Sequence, residues 1–330
     1  MSYVSEQPLH DAVNKATTDL FTFGYKHIVK PFFVFNHTPD VAHDQMIEFC
    51  RVTRNIPPLM WLLREMLDYT DPILETDVMG VHFDNPFGLS AGLDKNCDMP
   101  VLLDNAGFGF ETVGSTTARP CAGNPKPWFH RLPEYDSMIV HVGLANDGGE
   151  RVIPRAERAW DKAKSMQVSV SIARTNDKLC GDIDEGIEDY RTSMRRAAGH
   201  TAMIEINISC PNIACGGAAM GATPEAAAEV VRALRPHTKR PILVKLAPHD
   251  VADIARACEA EGADALTLIN TIPGMAIDVR TYRSRLSRPT AGVSGPCIHP
   301  IAVRMVWEAA HAVKIPINGV GGVMTSEDAA

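Results

Sequence analysis

The feature that most constrains this chain is a change of texture near Glu75, after which short apolar runs alternate with segments of helical period. Strands are expected at Phe87 to Ser90, Thr112 to Gly114, Val168 to Ile172, Met203 to Ile208, Ile242 to Leu246, Ala265 to Ile269 and Ile315 to Asn318. Helices are expected between them, near Met99 to Ala106, Arg151 to Ser165, Asp184 to Ala197, Pro224 to His237, Val251 to Glu261 and Pro300 to Val313. Parallel strands need long crossovers, so this regular β-α alternation implies an α/β fold, and a (β/α)8 TIM barrel is favoured over an open doubly wound sheet. Seven strands can be counted, and helix signals resume at Thr325-Ser326-Glu327-Asp328. Closure requires one more, so the chain is expected to stop before the eighth strand.

Residues 1–76 read differently from the barrel segment, 77–330. They lack strand alternation and carry apolar clusters at Ile28-Val29, Phe32-Phe33-Val34-Phe35 and Leu59-Met60-Trp61-Leu62-Leu63. Thr38-Pro39-Asp40 can cap one helix, and Pro57-Pro58 can open another, because proline is tolerated in a first turn. Two or three short helices are expected. Aromatic and aliphatic side chains beside Lys26, Lys30, Arg51, Arg54 and Arg64 suit an interfacial membrane-facing surface, and a helical cap packed on the barrel is the plainer alternative.

The 330 residues are 45% hydrophobic and 22% charged, ordinary for a globular protein. A balance of 32 basic against 40 acidic residues, without a basic run, leaves no footprint for nucleic acid. Eight cysteines show no C-x-x-C spacing, no metal-ligand pattern is visible, and a reducing cytoplasm is the simplest setting. No apolar span approaches the roughly 18 residues that a transmembrane helix requires. Oligomeric state is not legible.

Chemistry concentrates where the expected strands end. Ile204 to Asn207 alternates β-branched and polar residues and runs into Ser209-Cys210-Pro211-Asn212, where proline cannot prolong a ladder. A thiol between two carboxamides therefore stands at a strand terminus, the end at which parallel α/β folds hold ligands. Lys95 and Lys245, read as inward-facing at strand ends, would be costly to bury without an anion, a salt bridge being the alternative. Asn207, Asn212 and Asn270 each offer donors and an acceptor, which suits the edge of an imide ring, although turn capping is the commoner use of any one asparagine. Gly292-Val293-Ser294-Gly295 and Gly319-Val320-Gly321-Gly322 are expected as late turns whose backbone N–H groups approach a phosphate.

Taken in order, several motifs resemble the dihydroorotate dehydrogenases, and the resemblance runs from about Asp77 to the end. They are Asn85-Pro86-Phe87-Gly88-Leu89-Ser90-Ala91-Gly92-Leu93-Asp94-Lys95, Arg119-Pro120 with Gly123 to Leu132, Asn207-Ile208-Ser209-Cys210-Pro211-Asn212, Val244-Lys245-Leu246-Ala247-Pro248, Asn270-Thr271 and the two glycine turns. The resemblance implies a barrel that binds FMN and oxidises dihydroorotate to orotate in pyrimidine biosynthesis. Cys210 falls at the position of the base that takes the C5 proton, and a thiol can be poised for that task. Ala91, Gly92, Lys95, Ser115, Asn207, Lys245, Gly295, Gly321 and Gly322 would contact FMN. Lys95, Asn207, Asn212, Asn270 and Thr271 would face the substrate.

The Cys base and the stretch from Glu205 through Gly217 are similar to the soluble branches of that family. The leading helices, Ala91-Gly92-Leu93-Asp94-Lys95 and the Gly123 to Leu132 stretch are similar to the membrane-associated branch that reduces quinone, whose base is usually Ser. The helices weigh more, so a quinone acceptor is expected ahead of fumarate or NAD, with a cytoplasmic protein making peripheral membrane contact through residues 1–76. Two positions depart from the family: Val140 and Ser171 stand where asparagine is usual. A valine cannot hydrogen-bond a pyrimidine, which keeps open a flavoenzyme for another pyrimidine or cyclic amide. A barrel binding a phosphorylated ligand without redox chemistry is the reading outside that class.

Overall fold

In a computed structural model of the chain, residues 15–177, 183–199, 201–210 and 220–329 are described. Seven strands form one parallel sheet: β1 (Gly88–Leu89), β2 (Phe110–Thr116), β3 (Gln167–Ile172), β4 (Ile204–Asn207), β5 (Ile242–Lys245), β6 (Ala265–Leu268) and β7 (Ile317–Gly319). Each pairs with the next in sequence, so the order runs β7-β6-β5-β4-β3-β2-β1 with no reversal. A doubly wound sheet would reverse at a switch point. The fold is that of a TIM barrel with seven strands present, and among the described residues β7 and β1 are the two free edges.

Helices α1 (Pro100–Asn105), α2 (Gly149–Lys162), α3 (Ile183–Ala197), α4 (Pro224–Leu234), α5 (Val251–Ala260) and α6 (His299–Ala312) follow the first six strands in turn. Alternation along each strand explains the two faces. Val168, Val170, Ile172, Ile204, Ile206, Ile242, Val244, Leu266 and Leu268 are fully buried in the core shared with the helices. Burying each such side chain contributes about 1.5–3 kcal/mol. Ser171, Glu205, Asn207, Lys245 and Thr267 take the opposite face and make the barrel interior polar.

Two features were not legible in the alternation. A hairpin, Thr76–Val78 with Val81–Phe83, begins on the boundary residue 76 and packs Phe83 against Met203, Leu243 and Ala265 at the amino end of the sheet. Segments inserted after β2 and β6 build a second, antiparallel sheet in the order Ile272–Gly274, Ala291–Ser294, Ser137–Val140, Phe129–Leu132. This corrects one expectation: Gly292 lies within a strand, and only Gly295 of that run has the left-handed φ of a glycine turn, 117°.

The leading helices include Pro39–Thr53, capped by Thr38, whose hydroxyl accepts from Val41 N at 3.4 Å, and Pro57–Leu67. The Pro39–Thr53 helix is stitched to the second sheet. Asp40 accepts from Trp128 N at 2.9 Å, and Lys126 Nζ donates to Asp44 at 3.0 Å. Arg131 donates to the carbonyls of Val34 and His37 at 2.7 and 2.9 Å. No helix among the described residues is long and apolar enough to cross a membrane.

The start of the sheet is the tightest backbone approach. Gly109 N donates to Phe87 O at 2.8 Å, and a Cβ on Gly109 would occupy the position of the Asn85 carbonyl. Gly109→Ala is therefore expected to lower stability by about 1–3 kcal/mol in urea unfolding. Gly24, with φ −59° and nothing within 4 Å of an added Cβ, is the contrast. Gly24→Ala should be neutral or stabilising by up to about 1 kcal/mol.

Candidate active site

Asn207 is the centre of the mouth of the barrel. Its side chain is buried at the carboxyl end of β4, where Nδ2 donates to Ser115 Oγ of β2 at 2.8 Å. Ser115 Oγ lies 2.8 Å from Ser171 Oγ of β3. On its other side Asn207 Oδ1 accepts from Ser209 N and Oγ at 3.1 and 2.9 Å. Asn270 Nδ2, just beyond β6, donates to Ser209 Oγ at 3.0 Å and to its carbonyl at 3.2 Å. Thr271 N closes the chain on Asn270 Oδ1 at 2.7 Å. Four strand ends are thus joined by one hydrogen-bonded string, and Ser115, Asn207, Asn270 and Thr271 are brought together as expected.

Cys210 sits three residues past Asn207, half-buried and unbridged. It lines a small cavity with Asn207, Arg174, Tyr190 and Met220. Tyr190 OH donates to the Asn207 carbonyl at 2.7 Å, and burial holds its phenol above the usual range. Asn212 lies outside the described residues.

Lys245, in register with Asn207, is buried, and no hydrogen bond or ion pair reaches its ammonium among the described residues. A buried ammonium without a partner calls for an anion or a strong acceptor. Lys95 is different from its expected placement: it lies in the loop after β1, not on a strand. Its alternative, a salt bridge, is not found among the described residues either. Nζ donates to Gly92 O at 2.8 Å and lies over the Phe129 ring at 5.7 Å. Burial lowers its pKa to about 8, against the upward pull of Asp94.

Gly295, Gly321 and Gly322 meet at the amino end of α6. A Cβ on Gly322 would lie 2.7 Å from Gly295 O and 2.9 Å from His299 Cβ, and all three have φ between 71° and 135°. Side chains are excluded there, so backbone is what these three glycines present at the start of a helix, the kind of position at which N–H groups can meet a phosphate. Ala91 and Gly92 lie in the loop after β1, Gly92 with φ 133°.

Sequence reading missed His43, Ser209 and Phe129. His43, on the Pro39–Thr53 helix, places Nε2 3.3 Å from both Lys95 Nζ and Leu93 O, and its ring centroid 5.3 Å from that of Phe129. Burial, then Lys95, lowers its pKa. Only docking of the helix reveals this. Ser209 was within the quoted motif, and its hydroxyl was the overlooked signal. Val140 pairs with Phe129 on one side and Gly292 on the other, and a Cβ on Gly292 would strike Thr271. The departure Val140 therefore stands on the face of the second sheet that looks toward Thr271.

Seven parallel strands in TIM-barrel order, glycine backbone at the start of α6, a polar mouth and a thiol beside it make a barrel of the class that binds its ligands at the carboxyl ends of the strands. A family model for dihydroorotate dehydrogenase matches residues 73–330, and the chain belongs to that family. A dihydroorotate dehydrogenase B (NAD(+)) catalytic subunit of Thermodesulfovibrio yellowstonii is 37% identical over 261 residues, 78% of this chain and 82% of the relative. Its counterpart from Desulforudis audaxviator is 40% identical over 236 residues, 69% of this chain and 71% of the relative. Among solved structures, the Eimeria tenella enzyme in complex with ferulenol matches with a TM-score of 0.71 at 25% identity, over 91% of this chain and 84% of that one.

The family consists of FMN flavoproteins, and the residues present fit that cofactor: the glycine backbone at the start of α6 suits its phosphate, and Lys245 its electron-rich ring edge. The curated relatives are named for NAD(+), so they do not carry the expectation of quinone ahead of NAD.

The Lys95 ammonium is charged below its pKa of about 8 and neutral above it. Affinity for an anionic ligand that depends on that charge is expected to be full near pH 6 and to fade as pH rises through about 8. Titration of the protein with orotate across pH checks this, and Lys95→Met should flatten the profile.

Proposed function

We propose that this chain oxidises dihydroorotate to orotate with FMN as hydride acceptor and Cys210 as general base. The observation that carries the reading is the string Ser115–Asn207–Ser209–Asn270–Thr271 beside the Cys210 thiol. It aligns carboxamide and hydroxyl groups along one side of the barrel mouth, where a pyrimidine-dione edge can exchange donors and acceptors with them. Asn207, Asn212, Asn270 and Thr271 orient the ring in this reading, and Lys95 meets its carboxylate. Ala91, Gly92, Lys95, Ser115, Asn207, Lys245, Gly295, Gly321 and Gly322 hold the cofactor.

FMN, when bound, supplies the electron sink for the hydride from C6. The chain's own part is the proton. Cys210 Sγ, as thiolate, takes the C5 proton while Asn207 and Asn270 prevent the ring from turning away. The thiol is half-buried, so it can face the ring and still return its proton to solvent. The Val140 side chain has no hydrogen-bonding group to offer a ring, which leaves room for a different pyrimidine or cyclic amide as the second reading.

Cys210→Ala is expected to keep a yellow, FMN-loaded protein whose flavin is reduced by dihydroorotate roughly 100- to 10,000-fold more slowly. Anaerobic stopped-flow absorbance measures it. Retained turnover would remove Cys210 from the base role, and an orotate-blind flavin spectrum would favour the other ring substrate.

For the second half-reaction the proposed acceptor is a quinone approaching along residues 1–76, with peripheral membrane contact on the cytoplasmic face. What supports it is the exposure of Leu20, Phe21, Ile28, Phe32, Phe49 and Trp61 on the leading helices, one of which carries His43 to Lys95. NAD(+), reached through a partner protein, is favoured instead by the names of the curated relatives. The purified full chain should reoxidise its reduced flavin with a short-chain ubiquinone and not with NAD(+) alone. Reoxidation only after a second protein is added would decide for the NAD(+) reading.

A further inference from the structure

Behind the Lys95 loop lies a carboxyl that the site does not use. Glu111, on β2, is 0% exposed, and among the described residues neither of its oxygens meets a hydrogen-bond donor. The charged groups facing it are Asp94 and Asp98 of the loop after β1. Two thiols share the cluster, Cys97 of that loop and Cys50 of the Pro39–Thr53 helix. The nearby cations are engaged elsewhere. Arg51 bonds Asp98 at 2.9 and 3.0 Å, and Arg155 of α2 bonds Asp147 at 2.8 Å and the Asn96 carbonyl at 3.1 Å.

Asp94 and Glu111 cannot both be ionised at close quarters in a buried site, and the loop decides which of them is. The Asp94 carboxylate accepts from Asn96 N at 3.2 Å, from Asp98 N at 2.9 and 2.7 Å, and from Met99 N at 2.7 Å. Those backbone donors already meet its oxygens. Glu111 has no such donors, and burial together with Asp94 pushes it well above the usual carboxyl range. As a carboxylate it would be an orphan; as a carboxylic acid it becomes a donor, and Asp94 is the acceptor in front of it.

We propose that Glu111 is a positioning residue, a neutral carboxylic acid that donates to Asp94 and so fixes the loop whose next residue, Lys95, enters the site. The protonation state stands on the buried cluster alone, whereas the consequence for substrate rests on the reading of Lys95 given above. Asp94 O also accepts Gly114 N at 2.8 Å, so the same loop residue is held from both its ends against β2.

The test uses the FMN-loaded full chain with Glu111→Gln, which keeps a donor and cannot ionise, and Glu111→Leu, which removes the donor. Difference infrared spectroscopy at neutral pH should show a protonated carboxylic carbonyl in the wild type that both variants lose. Thermal stability of the wild type should fall as pH rises above the ordinary carboxyl range, because folding holds a proton that the unfolded chain releases, and Glu111→Gln should remove that slope. The KM for dihydroorotate should stay near wild type in Glu111→Gln and rise roughly tenfold in Glu111→Leu, the size of one hydrogen bond to a charged acceptor. Persistence of the infrared band in Glu111→Gln, or an unchanged pH slope, would overturn the proposal even if Glu111→Leu fails to fold. Equal KM values in the two variants would overturn the positioning role. A band that behaves as expected in a protein indifferent to dihydroorotate would leave Glu111 protonated and remove the substrate reading instead.

Discussion

A buried carboxamide must satisfy both of its ends, and at Asn207 that requirement organises the mouth of the barrel. Its amide reaches β2 through Ser115, and its carbonyl oxygen fixes Ser209, to which Asn270 then bonds from beyond β6. Strand ends that would otherwise diverge are tied at one residue. The backbone of the same residue is held by Tyr190 from α3, so helix and sheet agree on where the chain must turn toward Cys210. Pre-organisation of this kind costs the protein at folding and spares the reaction at turnover.

The loop after β1 is the second hub. Leu93 O meets His43, Asp94 caps its own following backbone, Asn96 Oδ1 accepts from Asp147 N at 2.9 Å, and Asp98 takes Arg51. Lys95 projects from the middle of these contacts. The Pro39–Thr53 helix therefore meets this loop through His43 and Arg51, as it meets the second sheet through Asp40.

Much of the architecture was legible because its two signals reinforce each other. In Ile204-Glu205-Ile206-Asn207 the alternation assigns the strand, its faces and the inward direction of Asn207 at once. All seven parallel strands and the six intervening helices lie where period and breakers place them. The antiparallel sheet was not legible, because its strands are two to four residues wide in register and interrupted by prolines, so no period can develop. Gly292 was misread for the same reason: a glycine in a short strand looks like a turn until its partners Val140 and Pro273 are known. The hairpin over residues 76–83 has the same defect.

The amino-acid sequence by itself determined the class of fold, the strand ends at which chemistry collects, and the motifs that place the chain among the dihydroorotate dehydrogenases. These are local properties, written in period and spacing. Only the tertiary structure decided that Lys95 answers to His43 across 52 residues, that Asn207 and Asn270 share Ser209, and that among the described residues Lys245 has no partner and Glu111 no donor. Each of these depends on which distant backbone comes within about 3 Å, and on the solvent that burial takes away. Charge state and partner choice follow from that exclusion of water, which no stretch of sequence carries alone.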